Sequence, residues 1–169
     1  MNVGDMRAPQ YVSHVDTFGL SGKAHANGRR VYVANGRGGL AVMERTGVLA
    51  HVPLRGDAQD VAARGALAYV ATTAGLEVVD LTNIGAPTVG EPVGVSEPAS
   101  GVALSEDGTQ AYVAAGNVIV HDVTGPRPQR GRTLSVGGRG VSVSVSGDLL
   151  SITVAEDGFE LYDISTPGA

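Results

Sequence analysis

Cysteine and tryptophan are both absent from this chain of 169 residues. Without cysteine there is no disulfide framework and no thiol chemistry, and the redox compartment stays open. Aromatic residues are scarce, two Phe and five Tyr, so there are few ring platforms of the kind that stack sugars. Lysine is nearly missing as well. Eleven of the twelve basic residues are Arg, which reads as genomic bias before function. A net charge of −5 argues against general nucleic-acid binding, which draws on a basic excess. No apolar run approaches the ~18 residues of a membrane-spanning helix. The first ten residues, MNVGDMRAPQ, lack the apolar core of a signal peptide. The compartment reads as cytoplasmic for the sequence as written, or secreted or cell-surface if a leader has been removed. Sustained helical periodicity is missing throughout.

What the chain does have is glycine, 25 residues of it, with valine and alanine dominating the rest. That composition suits many short strands and tight turns. It also conceals a repeat, the feature to look for first. Four stretches align: GRRVYVANGRGGLAVME (28–44), GALAYVATTAGLEVVD (65–80), GTQAYVAAGNVIVHD (108–122) and GDLLSITVAEDGFELYD (147–163). Their opening glycines are Gly28, Gly65, Gly108 and Gly147, at intervals of 37, 43 and 39 residues. Four residues further on stand Tyr32, Tyr69, Tyr112 and then Ser151, which breaks the column. The second half of each copy alternates strictly. Leu40/Val42, Leu76/Val78, Val118/Val120 and Phe159/Leu161 share one face, with Glu77, His121 and Glu160 on the other. Period two over five or six residues means strand. The acid that closes each copy, Glu44, Asp80, Asp122 or Asp163, could contribute to a metal-binding ring. Its recurrence in every copy, followed by Thr, Ser or Pro, fits a turn-capping carboxylate better.

The flanking segments complete the unit. Inner strands are expected near 23–27, 60–64, 101–105 and 141–146, rich in small residues such as Ala24, Ala26, Ala62, Ala63 and Ala103. Outer strands are expected near 48–54, 88–95 and 129–136. Four strands in about 40–45 residues is the size of a propeller blade, and small side chains suit a crowded centre. Asp5 and Pro9 have the same spacing as Asp163 and Pro167, so residues 10–18 are expected to supply the outer strand of the last blade. The chain then reads as one all-β propeller domain. Its four blades are 19–54, 55–95, 96–136, and 137–169 plus 10–18.

The segments GLEVVDLTNIGAP and YVATTAGLEVVD resemble the LVIVD family of bacterial propeller repeats, and GVALSEDGTQAYVAAGN is similar to the related YVTN-type repeat. The resemblance is strongest over 60–125 and weakest in the first copy, where Met43-Glu44-Arg45 replaces the hydrophobic–Asp pair. It implies the fold and is nearly silent on function, since a fold alone does not give one. Three arrangements fit four repeats. They can form a closed four-bladed ring, two half-rings joined as a dimer into an eight-bladed ring, or a piece of a longer propeller. An uneven apolar edge would mark the seam of a half-ring, and the tyrosine-less fourth copy beside the atypical first copy is where it would fall.

The loops GLSGK (19–23), RGDAQD (55–60), SEPAS (96–100) and GGRG (137–140) gather on one rim and differ from copy to copy. Lys23, His25, Arg55, Asp57, Asp60, Glu97 and Arg139 are the candidate binding residues there. The expected role is a non-catalytic interaction or scaffold module for a protein or glycan partner, with no cofactor and no metal. The alternative from another class is a small hydrolase or lyase with His25, Asp57, Asp60 and Arg139 at the channel mouth. Arg55-Gly56-Asp57 spells an integrin-recognition tripeptide, which would need a projecting, flexible loop. Glu106-Asp107-Gly108 reads as a hairpin turn before it reads as catalytic carboxylates. No two of His14, His25, His51 and His121 share a metal-ligand spacing. GRGG (36–39) and GGRG (137–140) lack the strand–loop–helix context of a phosphate site.

Overall fold

The computed structural model describes residues 11, 14–17, 19–45 and 47–165. They form fifteen strands and no helix. Blade 1 holds β1 (Ala24–Asn27), β2 (Arg30–Ala34), β3 (Leu40–Glu44) and β4 (Gly47–Val52). Blade 2 holds β5 (Ala58–Arg64), β6 (Leu67–Thr72), β7 (Gly75–Asp80) and β8 (Thr88–Val89). Blade 3 holds β9 (Gly101–Leu104), β10 (Gln110–Ala115), β11 (Asn117–Asp122) and β12 (Gln129–Leu134). Blade 4 holds β13 (Arg139–Ser146), β14 (Leu149–Ala155) and β15 (Gly158–Asp163). Each blade is an antiparallel meander in chain order, and β1, β5, β9 and β13 surround one central channel. The fold is an all-β four-bladed propeller. The stretch 10–18, expected to complete blade 4, lies largely outside the described residues.

The expected elements fall within a few residues of the observed ones, with one difference. The outer strand expected over 88–95 is broken into the two-residue β8 and a separate bridge between Leu76 and Val93. Pro92 sits between them, and proline has no N–H to give a ladder. The four opening glycines occupy the same turn in every blade, with φ of +62°, +58°, +72° and +57°. Only glycine adopts that left-handed region without cost, which is why it recurs in each copy.

The blades stack through three apolar seams. Tyr32, Leu40 and Val42 of blade 1 meet Val61, Val70 and Val79 of blade 2. Tyr69 and Leu76 of blade 2 meet Val102, Val113 and Val123 around blade 3. Tyr112, Val118 and Val120 of blade 3 meet Val143, Leu150 and Ile152 of blade 4. Among the described residues no fourth cluster fills the seam between blades 4 and 1. There Phe159 is 70% exposed and Leu161 60%, although their counterparts Leu40, Leu76 and Val118 are fully buried. Among the described residues the apolar columns are therefore uneven at that edge.

Alternation along the second hairpin strand does not separate core from solvent, because both faces of a blade are covered by neighbours. Glu77 and His121 are fully buried. Glu77 is well served: its carboxylate accepts the Thr72 hydroxyl at 3.0 Å and the backbone N–H groups of Arg55 and Gly56 at 3.1 and 3.0 Å. His121 is not. Neither ring nitrogen has a hydrogen-bond partner, and the Ile119 carbonyl acts on it only from outside bonding geometry. Desolvation, with a smaller push from Arg130 across the ladder, holds its pKa below the ordinary histidine value.

Two outcomes follow from this packing. Leu76→Ala lowers the unfolding free energy by about 2–4 kcal/mol, whereas Phe159→Ala changes it by less than about 0.5 kcal/mol; urea melts followed by far-UV circular dichroism compare them. For His121 the folded pKa is depressed, so above the unfolded value of about 6.5 both states are neutral and nothing is lost. As pH falls through that value the unfolded chain takes a proton that the folded chain refuses, and stability drops by up to about 1.4 kcal/mol per pH unit. Urea melts between pH 7.5 and 5 should show His121→Leu losing less stability than the parent over that range. Equal losses would mean the buried imidazole carries no pH penalty.

Candidate functional site

The channel, about 720 Å³, is lined by the four inner strands. Small residues on these strands let the blades approach closely enough for polar side chains to reach across. At the rim where the inner strands begin, Lys23 Nζ of blade 1 donates to Asp60 Oδ2 of blade 2 at 3.0 Å and to Ser142 Oγ of blade 4 at 2.7 Å. The same Asp60 oxygen accepts the Val102 N–H of blade 3 at 3.1 Å, and Oδ1 accepts the Val61 N–H at 2.8 Å. One lysine–carboxylate pair therefore ties all four blades. Asp60 is buried and Lys23 is half-exposed, so the pair retains more strength than a surface ion pair. At the opposite end Asn27 donates to the Ala63 carbonyl, Arg64 to the Glu106 carbonyl, and Gly147 N–H to the Glu106 carboxylate. No such tie joins blade 4 to blade 1 at that end among the described residues.

The predicted rim residues are distributed around this clasp. Lys23, His25 and Asp60 line the channel, but Asp57 and Arg139 do not. His25 is half-buried, and the Asp60 oxygens are engaged by Lys23 and by backbone N–H groups. Asp57 pairs with Arg37 at 3.7 Å, bridging blades 2 and 1. Glu97 pairs with Arg139 at 4.0 Å, bridging blades 3 and 4. The arginines of GRGG and GGRG thus already face carboxylates. Arg55 grips Glu91 with both guanidinium nitrogens, away from the channel. That hydrogen-bonded pairing raises the Arg55 pKa and lowers that of Glu91. With Arg55 and Gly56 N–H bound to Glu77 and Asp57 N–H bound to Thr73, the Arg-Gly-Asp loop is anchored and does not have the projecting form that adhesion requires.

The closing acids act as turn caps. Asp80, Asp122 and Asp163 accept the N–H of Thr82, Thr124 and Ser165, each at 2.8 Å. Those contacts hold the three carboxyls below their usual range. Glu44, the exception in sequence, instead faces Arg30 at 3.7 Å. In the Glu106-Asp107-Gly108 turn, Asp107 accepts from Ser105 and Thr109 and is lowered to about 2. Among the described residues no three His, Cys, Asp or Glu side chains are placed to hold a metal.

One rim feature was not singled out from sequence. A cleft of about 720 Å³ lies where the loop before β1 meets the β2–β3 hairpin and the start of β5. Leu20 stands in it 89% exposed, beside Arg37 and Asp57. The alternation that marks strands cannot flag a lone leucine in a polar loop. The Glu77 latch was missed too, although Glu160 at the same column of the last copy was a signal. Glu160 accepts the Tyr162 hydroxyl at 2.6 Å and the Gly137 N–H at 2.7 Å, and both contacts lower its pKa. In blades 2 and 4, then, a glutamate in the second hairpin strand holds the loop that enters the blade.

The LVIVD repeat family model matches residues 55–93 and 137–169. The matches fall on two of the four blades. They are the two that carry the glutamate latch, and each match begins at the rim loop that the glutamate holds. No curated protein matches the chain. Among solved structures, hydrazine synthase of Kuenenia stuttgartiensis aligns with a TM-score of 0.72 at 22% identity, over 81% of this chain and 43% of that one. The computationally designed Ika4 protein aligns at 0.68 and 11% identity, over 93% of this chain and 99% of Ika4. The designed Ika8 protein aligns at 0.67 and 10% identity, over 86% of this chain and 46% of Ika8. The matched blades therefore sit in a frame shared with propeller-like structures of very different sequence.

Removing the clasp separates tied from untied rim charges. Asp60→Ala should lower the unfolding free energy by about 2–4 kcal/mol, because it strands backbone donors and a lysine at a crowded centre. Glu97→Ala, from a solvent-exposed pair, should stay within about 0.5 kcal/mol. Chemical melts at pH 7 and two salt concentrations check both. Equal effects would mean that the Lys23–Asp60 pair is not a structural tie.

Proposed function

We propose that this propeller is a non-catalytic interaction module that binds a protein or glycan partner through the rim where the inner strands begin. The observation that carries the reading is the cleft between blades 1 and 2. Exposed Leu20 and the Arg37–Asp57 pair line an open surface there, while Lys23 and Asp60 at the channel mouth are consumed in ties between blades. A general acid or base needs a group within reach of substrate and at liberty to exchange a proton. Asp60, held by Lys23 and two backbone donors, is poorly suited to that work. An apolar side chain ringed by paired charges and loop backbone is the usual make-up of a recognition surface.

The test is a random peptide display library and a glycan array, each probed with the whole chain. Enriched peptides or glycans should bind at least 10-fold more weakly to Leu20→Ser and Arg37→Glu, and unchanged to Arg130→Gln on the outer strand of blade 3. Binding that ignores the rim substitutions would overturn the rim. Turnover of arrayed glycans would overturn the non-catalytic reading.

A second reading, self-association along the seam between blades 4 and 1, is favoured by the exposure of Phe159 and Leu161. Light scattering coupled to size exclusion across a concentration series decides it. A dimer that Phe159→Ser converts to monomer supports joined chains. A concentration-independent monomer removes that reading and leaves the rim module.

A further inference from the structure

A second cleft, of about 480 Å³, lies at the periphery between blades 2 and 3, well away from the rim. Its walls are mainly apolar, with Leu67, Val78 and Val123 on the flanks and Pro126 and Pro128 forming one lip. At its floor is Tyr69, only 5% exposed. Among the described residues the Tyr69 hydroxyl has no hydrogen-bond partner. Yet among the described residues the only sealed, unpartnered side-chain nitrogen or oxygen atoms are those of His121, so this hydroxyl opens into the cleft. Blade 3 differs at this column. The equivalent Tyr112 donates to Gln110 Oε1 at 2.8 Å, and at the column of Gln110 blade 2 has Leu67. One substitution thus frees the hydroxyl and makes the cleft apolar.

The mouth carries a second unused donor. Arg127, between the two prolines, makes no side-chain hydrogen bond or ion pair among the described residues; only its carbonyl is engaged, by Gln129. Two acids also line the cleft; both are hydrogen-bonded within the protein, and the charge of Arg127 helps hold the Glu91 carboxyl below its usual range. Glu91 is clasped by Arg55, and Asp80 caps its own turn through Thr82. What remains unsatisfied is a phenol donor at the base and a guanidinium at the lip, with apolar walls between. A ligand that supplies acceptors to these two donors and covers the apolar walls fits the cleft. The volume falls within the usual range of small-molecule sites, and a guanidinium matches a carboxylate better than any neutral acceptor.

From this geometry we infer that the cleft between blades 2 and 3 binds a small organic monocarboxylate with an apolar body. The carboxylate meets Arg127, the apolar body lies along Leu67, Val78 and Val123, and Tyr69 donates to the ligand. The inference does not rest on the rim and survives or fails independently of it.

The probe is 4-phenylbutyrate, titrated into the isotopically labelled chain and followed by amide chemical shifts. Saturable binding is expected with a Kd on the order of 1 mM, as befits a dozen heavy atoms, with shifts centred on Leu67, Tyr69, Val123 and Gly125. Arg127→Gln, a surface change that leaves the fold intact, should weaken binding about 5- to 10-fold and abolish preference for the acid over 4-phenylbutyramide. Tyr69→Phe keeps the ring and should weaken binding about 5-fold. The idea fails if the parent shows no saturable shifts, if the shifts map elsewhere, if Arg127→Gln binds as the parent does, or if the amide binds as tightly as the acid.

Discussion

Every sheet in this molecule has two faces to cover and can cover neither alone. A blade of four short strands with small side chains has little core of its own, so its apolar columns must meet those of its neighbours. Four blades around an axis create four seams, and among the described residues three of them hold a buried apolar cluster. The Leu40, Leu76 and Val118 column is sealed at each of the three. Phe159, the largest side chain in that column, stands in the open at the fourth. At about 25 cal/mol per Å² of apolar surface, sealing such a side chain contributes on the order of 2 kcal/mol. The fourth seam is accordingly where the ring is easiest to open.

A ring of only four blades compensates at its centre. With alanines on the inner strands, the channel wall leaves room for side chains that reach a neighbouring blade. Lys23 reaches blades 2 and 4, and Asp60 reaches blades 1 and 3. The clasp closes the fourth seam at one rim although apolar packing there is thin. The opposite end has ties from blade 1 through to blade 4 but none that completes the circle. Polar interactions thus supply closure at the one place where hydrophobic burial does not.

The frame was legible because it repeats. Glycines with positive φ, alternation, and an acid two residues before a Thr or Ser donor are local devices, and local devices leave marks in sequence. The turn-capping role of Asp80, Asp122 and Asp163 follows from that logic, and so does the hairpin at Glu106-Asp107-Gly108. Less legible was what happens between blades. The polar face expected for Glu77 and His121 is buried, because a second sheet lies over it, and nothing in a single strand announces its neighbour. The pairing of the rim residues is not legible in any single loop. Lys23, not His25, holds Asp60, a choice made by side-chain reach across a channel. Arg55 turned outward to Glu91, a partner 36 residues away.

The two glutamate latches suggest how the rim acquired its variety. In blades 2 and 4 a carboxylate gathers the N–H groups of the incoming loop, Arg55 and Gly56 onto Glu77 and Gly137 onto Glu160. Such a loop is specified by its backbone, and its side chains are at liberty to change only within that shape. Blade 1 has Ala41 at the same column and blade 3 has Ile119. The loop entering blade 1 leans instead on a neutral contact, the Ser21 hydroxyl on the Asn35 amide oxygen at 3.2 Å, and it carries Leu20 outward. A neutral bond of that length holds a loop more weakly than a buried carboxylate with three donors. The exposed apolar side chain of Leu20 thus sits on the loop next to the thinnest seam. A partner that closed over Leu20 would also stiffen the edge of the ring that the chain's own packing leaves least covered.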